Sequence, residues 1–177
     1  MSRFEELYRA DLSRYAGGGT ETYIKRWHYL FRKAQTTENP FIKKVYHYLL
    51  VKHGSKNGLD IDYPVKIAGG LYIGHPYGIT INDEVTIGRN CNIHKGVTIG
   101  RENRGKRKGT PIIGNDVWIG IGSTIVGNVS IGNDVLIAPG SFVNCDVPDH
   151  SVVFGNPCRI SSRENATEGY VQNRVGE

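Results

Sequence analysis

Three side chains in this sequence can move a proton and lie within one stretch: Asp60, His75 and His94. His75 stands in Gly74-His75-Pro76-Tyr77-Gly78, a string rich in turn formers, so its ring is expected outside any regular core. An aspartate that accepts from one ring nitrogen fixes the tautomer and leaves the other nitrogen as a general base toward a hydroxyl. Such a pair contains no protein nucleophile, and the chain has no Gly-x-Ser-x-Gly elbow, no P-loop and no dinucleotide Gly-x-Gly-x-x-Gly after a strand. The chemistry expected is activation of a bound hydroxyl. Asp60, His75 and His94 lack the tight cluster and supporting residues of a metal centre, so no metal is expected. Cys91, Cys145 and Cys158 are odd in number and contain no CxxC pair, which argues for reduced thiols over a disulfide framework or a zinc site.

The elements that must hold these groups follow from a six-residue period. Aliphatic residues recur at Ile61, Ile67, Ile73 and Ile79; after a two-residue slip at Ile81, Ile87, Ile93 and Ile99; then at Ile113, Ile119, Ile125, Ile131, Ile137 and Val143. A second apolar residue often sits two earlier, as at Val85, Val97, Val117, Val129 and Val135, and Cys91 fits that inward series. Six is neither the helical 3.6 nor a plain alternation, so each unit is a short strand and a turn. Gly114-Asn115-Asp116 and Gly132-Asn133-Asp134 supply turn chemistry. Three units close one coil of roughly 18 residues, and stacked coils bury the ladder as a parallel β-helix. The 23 glycines, about 13% of 177 residues against a typical ~7%, are therefore read as turn punctuation.

Counting one coil on from Asp60 reaches Gly78, three residues past His75, which predicts the carboxylate beneath the imidazole. His94 falls one coil beyond Gly74 once the slip is allowed for, and is expected on the same edge with a catalytic or substrate-binding role. The interval from Ile99 to Ile113 is fourteen residues where twelve would keep phase, so a basic loop over 101–110 is thrown out of the coil.

Residues 1–58 read as about three helices separated by Gly17-Gly18-Gly19 and Asn39-Pro40, with Tyr23, Ile24, Trp27, Leu30, Phe31 and Ala34 on one face. Phe41, Ile42, Val45, Tyr46 and Leu49 repeat that pattern. These helices are expected to cap the open edge of the first coil. The division is thus 1–58 helical, 59–162 β-helix and 163–177 a loose polar tail. Of the net charge of +5, the helical region carries 11 Lys/Arg against 5 Asp/Glu, and RENRGKRKG at 101–109 carries 5 against 1. With no aromatics among Lys106-Arg107-Lys108, a phosphate-bearing cofactor or acidic saccharide is expected rather than nucleic acid. A peripheral membrane contact through the basic helices is the competing use of that charge. With no apolar run near 18 residues and no signal-type segment, a cytoplasmic protein is expected.

The runs Gly70-Leu71-Tyr72-Ile73-Gly74-His75, Gly96-Val97-Thr98-Ile99-Gly100, Val117-Trp118-Ile119-Gly120 and Gly155-Asn156-Pro157-Cys158-Arg159 resemble the hexapeptide-repeat acyltransferases. The nearest branches are the serine acetyltransferases and the sugar and capsular-polysaccharide O-acetyltransferases. The likeness covers about residues 58–160. It implies a left-handed coil, a homotrimer with acetyl-CoA sites between subunits, His75 as general base and Asp60 as its orienting carboxylate. It further implies acetyl-CoA along Ile121, Pro139, Asn144 and Cys145, with Trp118 in that wall and Arg159 near the phosphates. Two departures bear on the acceptor. Serine acetyltransferases carry an Asp before the base where this chain has Gly74, and a His before the resuming proline where it has Thr110. The expectation is therefore a saccharide hydroxyl, with Gly74, Tyr77, Lys95, Arg107 and Thr110 toward the acceptor. A serine O-acetyltransferase is the alternative, a β-helical scaffold the non-enzymatic one, and a carbonic-anhydrase-like metal enzyme a third.

Overall fold

The computed structural model describes residues 1–15 and 22–176; the expected break at Gly17-Gly18-Gly19 lies outside them. Helix α1 (Arg3–Ser13) opens on a capping box, in which Ser2 Oγ accepts from the Glu5 N–H and the Glu5 carboxylate accepts from the Ser2 N–H. Helix α2 (Thr22–Thr36) buries Ile24, Trp27, Leu30, Phe31 and Ala34, the face its spacing predicts. Helix α3 (Pro40–Gly54) starts where Asn39 Oδ1 accepts from the Phe41 and Ile42 N–H groups, with Pro40 in the first turn.

The apolar face expected of α3 is not the buried one. Leu50 and Gly54 turn inward, Tyr46 and Leu49 pack partly on the core, and Phe41 is 76% exposed, with Ile42, Val45, Tyr48 and Val51 also exposed. At its C-terminus the helix approaches the coil closely, since a Cβ on Gly54 would stand 2.6 Å from the Leu59 carbonyl oxygen.

Strands β1 (Leu59–Ile61), β2 (Lys66–Ile67) and β3 (Tyr72–Gly74) form the first coil, and β4 (Ile79–Ile81), β5 (Thr86–Ile87) and β6 (Asn92–His94) the second. The third is β7 (Thr98–Gly100), β8 (Ile112–Ile113) and β9 (Trp118–Ile119), followed by β10 (Thr124–Val126), β11 (Ser130–Ile131) and β12 (Val135–Ile137). Strands β13 (Phe142–Val143) and β14 (Ser151–Phe154) open a fifth coil, and β15 (Arg159–Ser162) returns antiparallel on β14. They stack into three sheets: β1-β4-β7-β10-β13, β2-β5-β8-β11 and β3-β6-β9-β12-β14-β15. All fourteen Ile/Val positions of the hexad series are buried, as are Val85, Cys91, Val97, Val117, Val129 and Val135. β-Branched side chains suit this stack because they are stiff and fill a pleated surface.

The register relocates both interruptions. Thr80 pairs with Asp60 and Thr98 with Thr80, so the first coil has two residues more than the second, added in the His75–Gly78 turn between β3 and β4. Ile112 pairs with Thr86, whereas Lys66 pairs with Thr86 one coil earlier, so the third coil carries eight extra residues rather than two. Six residues, not twelve, would have kept phase between β7 and β8. The insertion is closed at its neck by paired Glu102 and Gly109 backbones, N–H to O at 2.9 Å both ways.

The end strands β2 and β3 would expose unpaired backbone, and the helices satisfy it through side chains. Arg32 donates to the Ile67 and Ala68 carbonyls at 2.6 and 2.7 Å, and Arg14 to the Gly70 carbonyl at 2.9 Å. Asp11 Oδ1 accepts from the Gly70 and Leu71 N–H groups, and the Tyr15 hydroxyl from the Ile73 N–H at 2.8 Å. Burial pushes the Asp11 carboxyl pKa upward, but the Arg32 guanidinium at 2.7 Å and His28 outweigh it and hold the group below its ordinary value.

The last segment is not a loose tail. Asp134 accepts from the Ala166 and Thr167 N–H groups and the Thr167 hydroxyl, Ala166, Thr167 and Val171 are buried, and the Val175 N–H reaches Asn90. Its polarity reflects caps and turns made with the coil, which composition alone does not reveal.

Candidate active site

The five-stranded sheet presents Asp60, Thr80, Thr98 and Thr124 on its outer face, because their neighbours Ile61, Ile81, Ile99 and Ile125 point inward. One long edge of this face is a row of turns carrying His75, Lys95, Ile121 and Pro139. Backbone bonds join successive turns: Gly96 N–H to the Tyr77 carbonyl, Gly122 N–H to Lys95 and Gly140 N–H to Ile121. The opposite edge carries the extruded basic loop with Arg107, then Thr110, Asn144 and Cys145. The face is a trough between a histidine edge and a cationic wall. An apolar cavity of about 270 Å³ between α3 and β1, lined by Leu50, Leu59 and Ile61, opens beside Asp60.

Asp60 does not reach His75. Its partner across the coil is Thr80, not Gly78, because the His75 turn is itself the two-residue insertion, and no hydrogen bond or ion pair joins the two. Asp60 lies instead toward acidic company: the Asp83 carboxyl is raised by burial and then by the charges of Asp62 and Asp60. His75 is exposed, with φ of 54°, at the tip of its turn.

His94 is where the register count puts it, paired with Gly74. Its Nδ1 lies 2.9 Å from the Ile119 carbonyl oxygen. A carbonyl only accepts, so Nδ1 carries the proton and Nε2 keeps a lone pair. Burial lowers the His94 pKa, the Ile119 bond opposes this, and neighbouring His75 lowers it further. The ring centroid lies 4.7 Å from that of Trp118, the two planes tilted by 48°, and Trp118 is itself met edge-on by Tyr170 at 5.1 Å. Gly74 is required by this arrangement. A Cβ there would lie 2.5 Å from His94 Cδ2 and 2.8 Å from Nε2, so the volume of a side chain at 74 is occupied by the His94 ring.

The residues expected along acetyl-CoA divide. Ile121 and Pro139 share the histidine edge, whereas Asn144 and Cys145 share the loop edge, with the Cys145 thiol 3.5 Å from that of Cys158 and Arg159 exposed just beyond. Trp118 faces outward from the six-stranded sheet, beneath Tyr170, rather than from the trough. Tyr77 and Lys95 are exposed on the histidine edge, and the Thr110 hydroxyl donates to the Glu84 carbonyl at 3.3 Å. Among the described residues no group of three or more His, Cys, Asp or Glu converges on a metal position. The threonine row was missed in the sequence; its signal was the polar residue before each inward Ile in Thr80-Ile81, Thr98-Ile99 and Thr124-Ile125. Tyr170 had no such signal.

Comparison with known proteins agrees with the repeat architecture. Residues 110–145 match the family model described as bacterial transferase hexapeptide (six repeats). Serine acetyltransferase 2 of Arabidopsis thaliana is 39% identical over 103 residues, 58% of this chain and 32% of that protein. The crystal structure of serine acetyltransferase from Brucella abortus superposes with a TM-score of 0.77 at 26% identity, covering 90% of this chain and 69% of the other. A serine acetyltransferase in complex with CoA has a TM-score of 0.76 over 89% of this chain and 69% of the other; at 23% identity that likeness speaks for the fold. The coil is accordingly the left-handed β-helix with a helical cap. These likenesses place the chain beside the hexapeptide-repeat acyltransferases, and its curated relatives here are serine acetyltransferases. The chain spans about a third to a half of the length of the curated relatives it matches.

Proposed function

We propose that this chain is an acetyl-CoA-dependent O-acetyltransferase with His75 as the general base. The observation that carries the reading is the nearness of two imidazoles, His75 in the turn after β3 and His94 at the end of β6, with His94 bonded to the Ile119 carbonyl so that it stays neutral beside His75. The acceptor hydroxyl oxygen attacks the thioester carbonyl carbon as His75 takes its proton, and the CoA thiolate departs and recovers that proton. A backbone N–H of a neighbouring turn steadies the oxyanion. Ile121, Pro139, Asn144, Cys145 and Arg159 line the coenzyme, and Trp118 supports it indirectly by fixing His94. The reading includes a cytoplasmic homotrimer with each trough closed by a neighbouring subunit, which would also cover the bare face of α3 and supply His75 with the orienting group that Asp60 does not provide within one chain. Liposome sedimentation tests the competing contact of the basic helices with an anionic membrane; among the described residues no helix is long and apolar enough to cross one.

L-Serine is the acceptor supported by the names of the relatives, and they favour it over the saccharide expected from the sequence. A specific observation keeps the saccharide as a second reading. The His94 ring fills the space of a side chain at 74, and Thr110 is tied to Glu84, so neither position offers a charge to a small zwitterion. Acetyl transfer measured by CoA release, with L-serine and acidic saccharides side by side, decides between them: efficient turnover of serine alone removes the saccharide, and the reverse removes serine. His75→Ala should lower kcat/KM by roughly 10²–10⁴-fold with either acceptor. Full activity in that variant refutes the assigned base.

A further inference from the structure

Two of the three cysteines face each other at the loop edge. Cys145, in the turn after β13, and Cys158, just before β15, are half-buried, 13 residues apart in sequence, with their Sγ atoms 3.5 Å apart. Cys91 is sealed in the core with its thiol pushed up to about 12 by burial, so the pair is chemically isolated from it. Each thiol is the other's only side-chain partner among the described residues' recorded bonds. A disulfide bond is about 2.05 Å, so closure needs the sulfurs to approach by about 1.5 Å, within reach of side-chain rotation and a small shift of the turns.

We propose that Cys145 and Cys158 form a reversible redox clasp that fastens the β14–β15 turn to the end of β13. The oxidant class is a small disulfide such as oxidised glutathione. One protein thiolate attacks it and expels one glutathione thiolate, leaving a mixed disulfide; the second protein thiolate then attacks the protein sulfur and expels the other. The protein loses two protons and two electrons, and the small disulfide becomes two thiols. Attack by Cys145 is slowed because its thiol is raised by burial and by the shared hydrogen bond with Cys158, partly offset by Arg107, so that step runs faster at mildly alkaline pH. The segment being clasped carries Arg159, and the turn it is clasped to carries Asn144. If the proposed function holds, the clasp therefore sets the separation of two coenzyme contacts, but its chemistry stands without that reading.

The test incubates the full-length protein with oxidised glutathione at mildly alkaline pH, then counts thiols and maps peptides by mass spectrometry. The expected result is loss of two of three thiols, one intramolecular Cys145–Cys158 link, slower hydrogen exchange over residues 155–162, and full reversal by dithiothreitol. Cys145→Ser should instead retain a stable glutathione adduct on Cys158. Three reactive or glutathionylated thiols without a link, a link through Cys91 or between chains, or equal exchange in both forms overturns the clasp. None of these readouts depends on acetyl transfer, so they stand apart from any failure of the enzymatic reading.

Discussion

Replacing Gly74 by Ala is the sharpest single probe of the candidate site. Gly74 does not have the positive φ that favours glycine, so the effect of a side chain there is steric. The new Cβ would lie 2.5 Å from His94 Cδ2, where ordinary contact begins at about 3.5 Å, so the ring must move by about 1 Å. It is held by the bond to the Ile119 carbonyl and by the tilted ring contact with Trp118. Losing these contributes about 1 kcal/mol for a neutral hydrogen bond and about 1 kcal/mol for an aromatic pair. The expected cost is about 2 kcal/mol, within the range for overpacking a core. Urea unfolding at fixed protein concentration, at pH 8 where His94 is neutral in both states, measures it. In a His94→Ala background the same substitution should cost almost nothing, giving a coupling energy of about 2 kcal/mol. A cost below about 0.5 kcal/mol in the native background, or equal costs in both, refutes the claim that His94 occupies the volume of residue 74.

Three other outcomes are expected. The folded chain resists protonating His94, whereas the unfolded chain takes up that proton below about pH 6.5, so its contribution is complete above that pH and is lost progressively as pH falls below it; His94→Asn should flatten the slope of unfolding free energy on the acid side of about pH 6.5, and an unchanged slope assigns it elsewhere. Excising residues 102–109 should restore six-residue spacing from β7 to β8 and keep the far-ultraviolet circular dichroism and the melting transition, while weakening binding of an anionic ligand such as CoA in calorimetry; loss of the fold would show that the loop is integral to the coil. Asp11→Asn removes a buried charge shared by Arg32 and two backbone amides and should cost about 3–5 kcal/mol in denaturant unfolding, against less than about 1 kcal/mol for an exposed ion pair.

The hexad ladder was legible because the period is local: each inward Ile repeats the same backbone geometry, and burial follows from spacing alone. His94 opposite Gly74 was legible for the same reason. The Asp60–His75 pairing failed because counting along the chain cannot say within which coil an insertion falls; the two extra residues lie in the His75 turn and carry Asp60 opposite Thr80. The basic loop was seen at 101–110, but the number of residues it adds to its coil was undercounted, since only strand register separates the skipped coil positions from the inserted ones.

The sequence by itself determined a stack of short strands around an Ile/Val core, a helical cap with α2 inward, and one edge bearing two histidines, because these depend on periodicity and residue type. The tertiary structure alone decided which face of α3 is covered, that the polar tail is fastened by Asp134, and that Gly74 makes room for His94. Those depend on contacts between segments far apart in the chain, whose free energy is realised only when the coil has closed and which therefore leave no period to read.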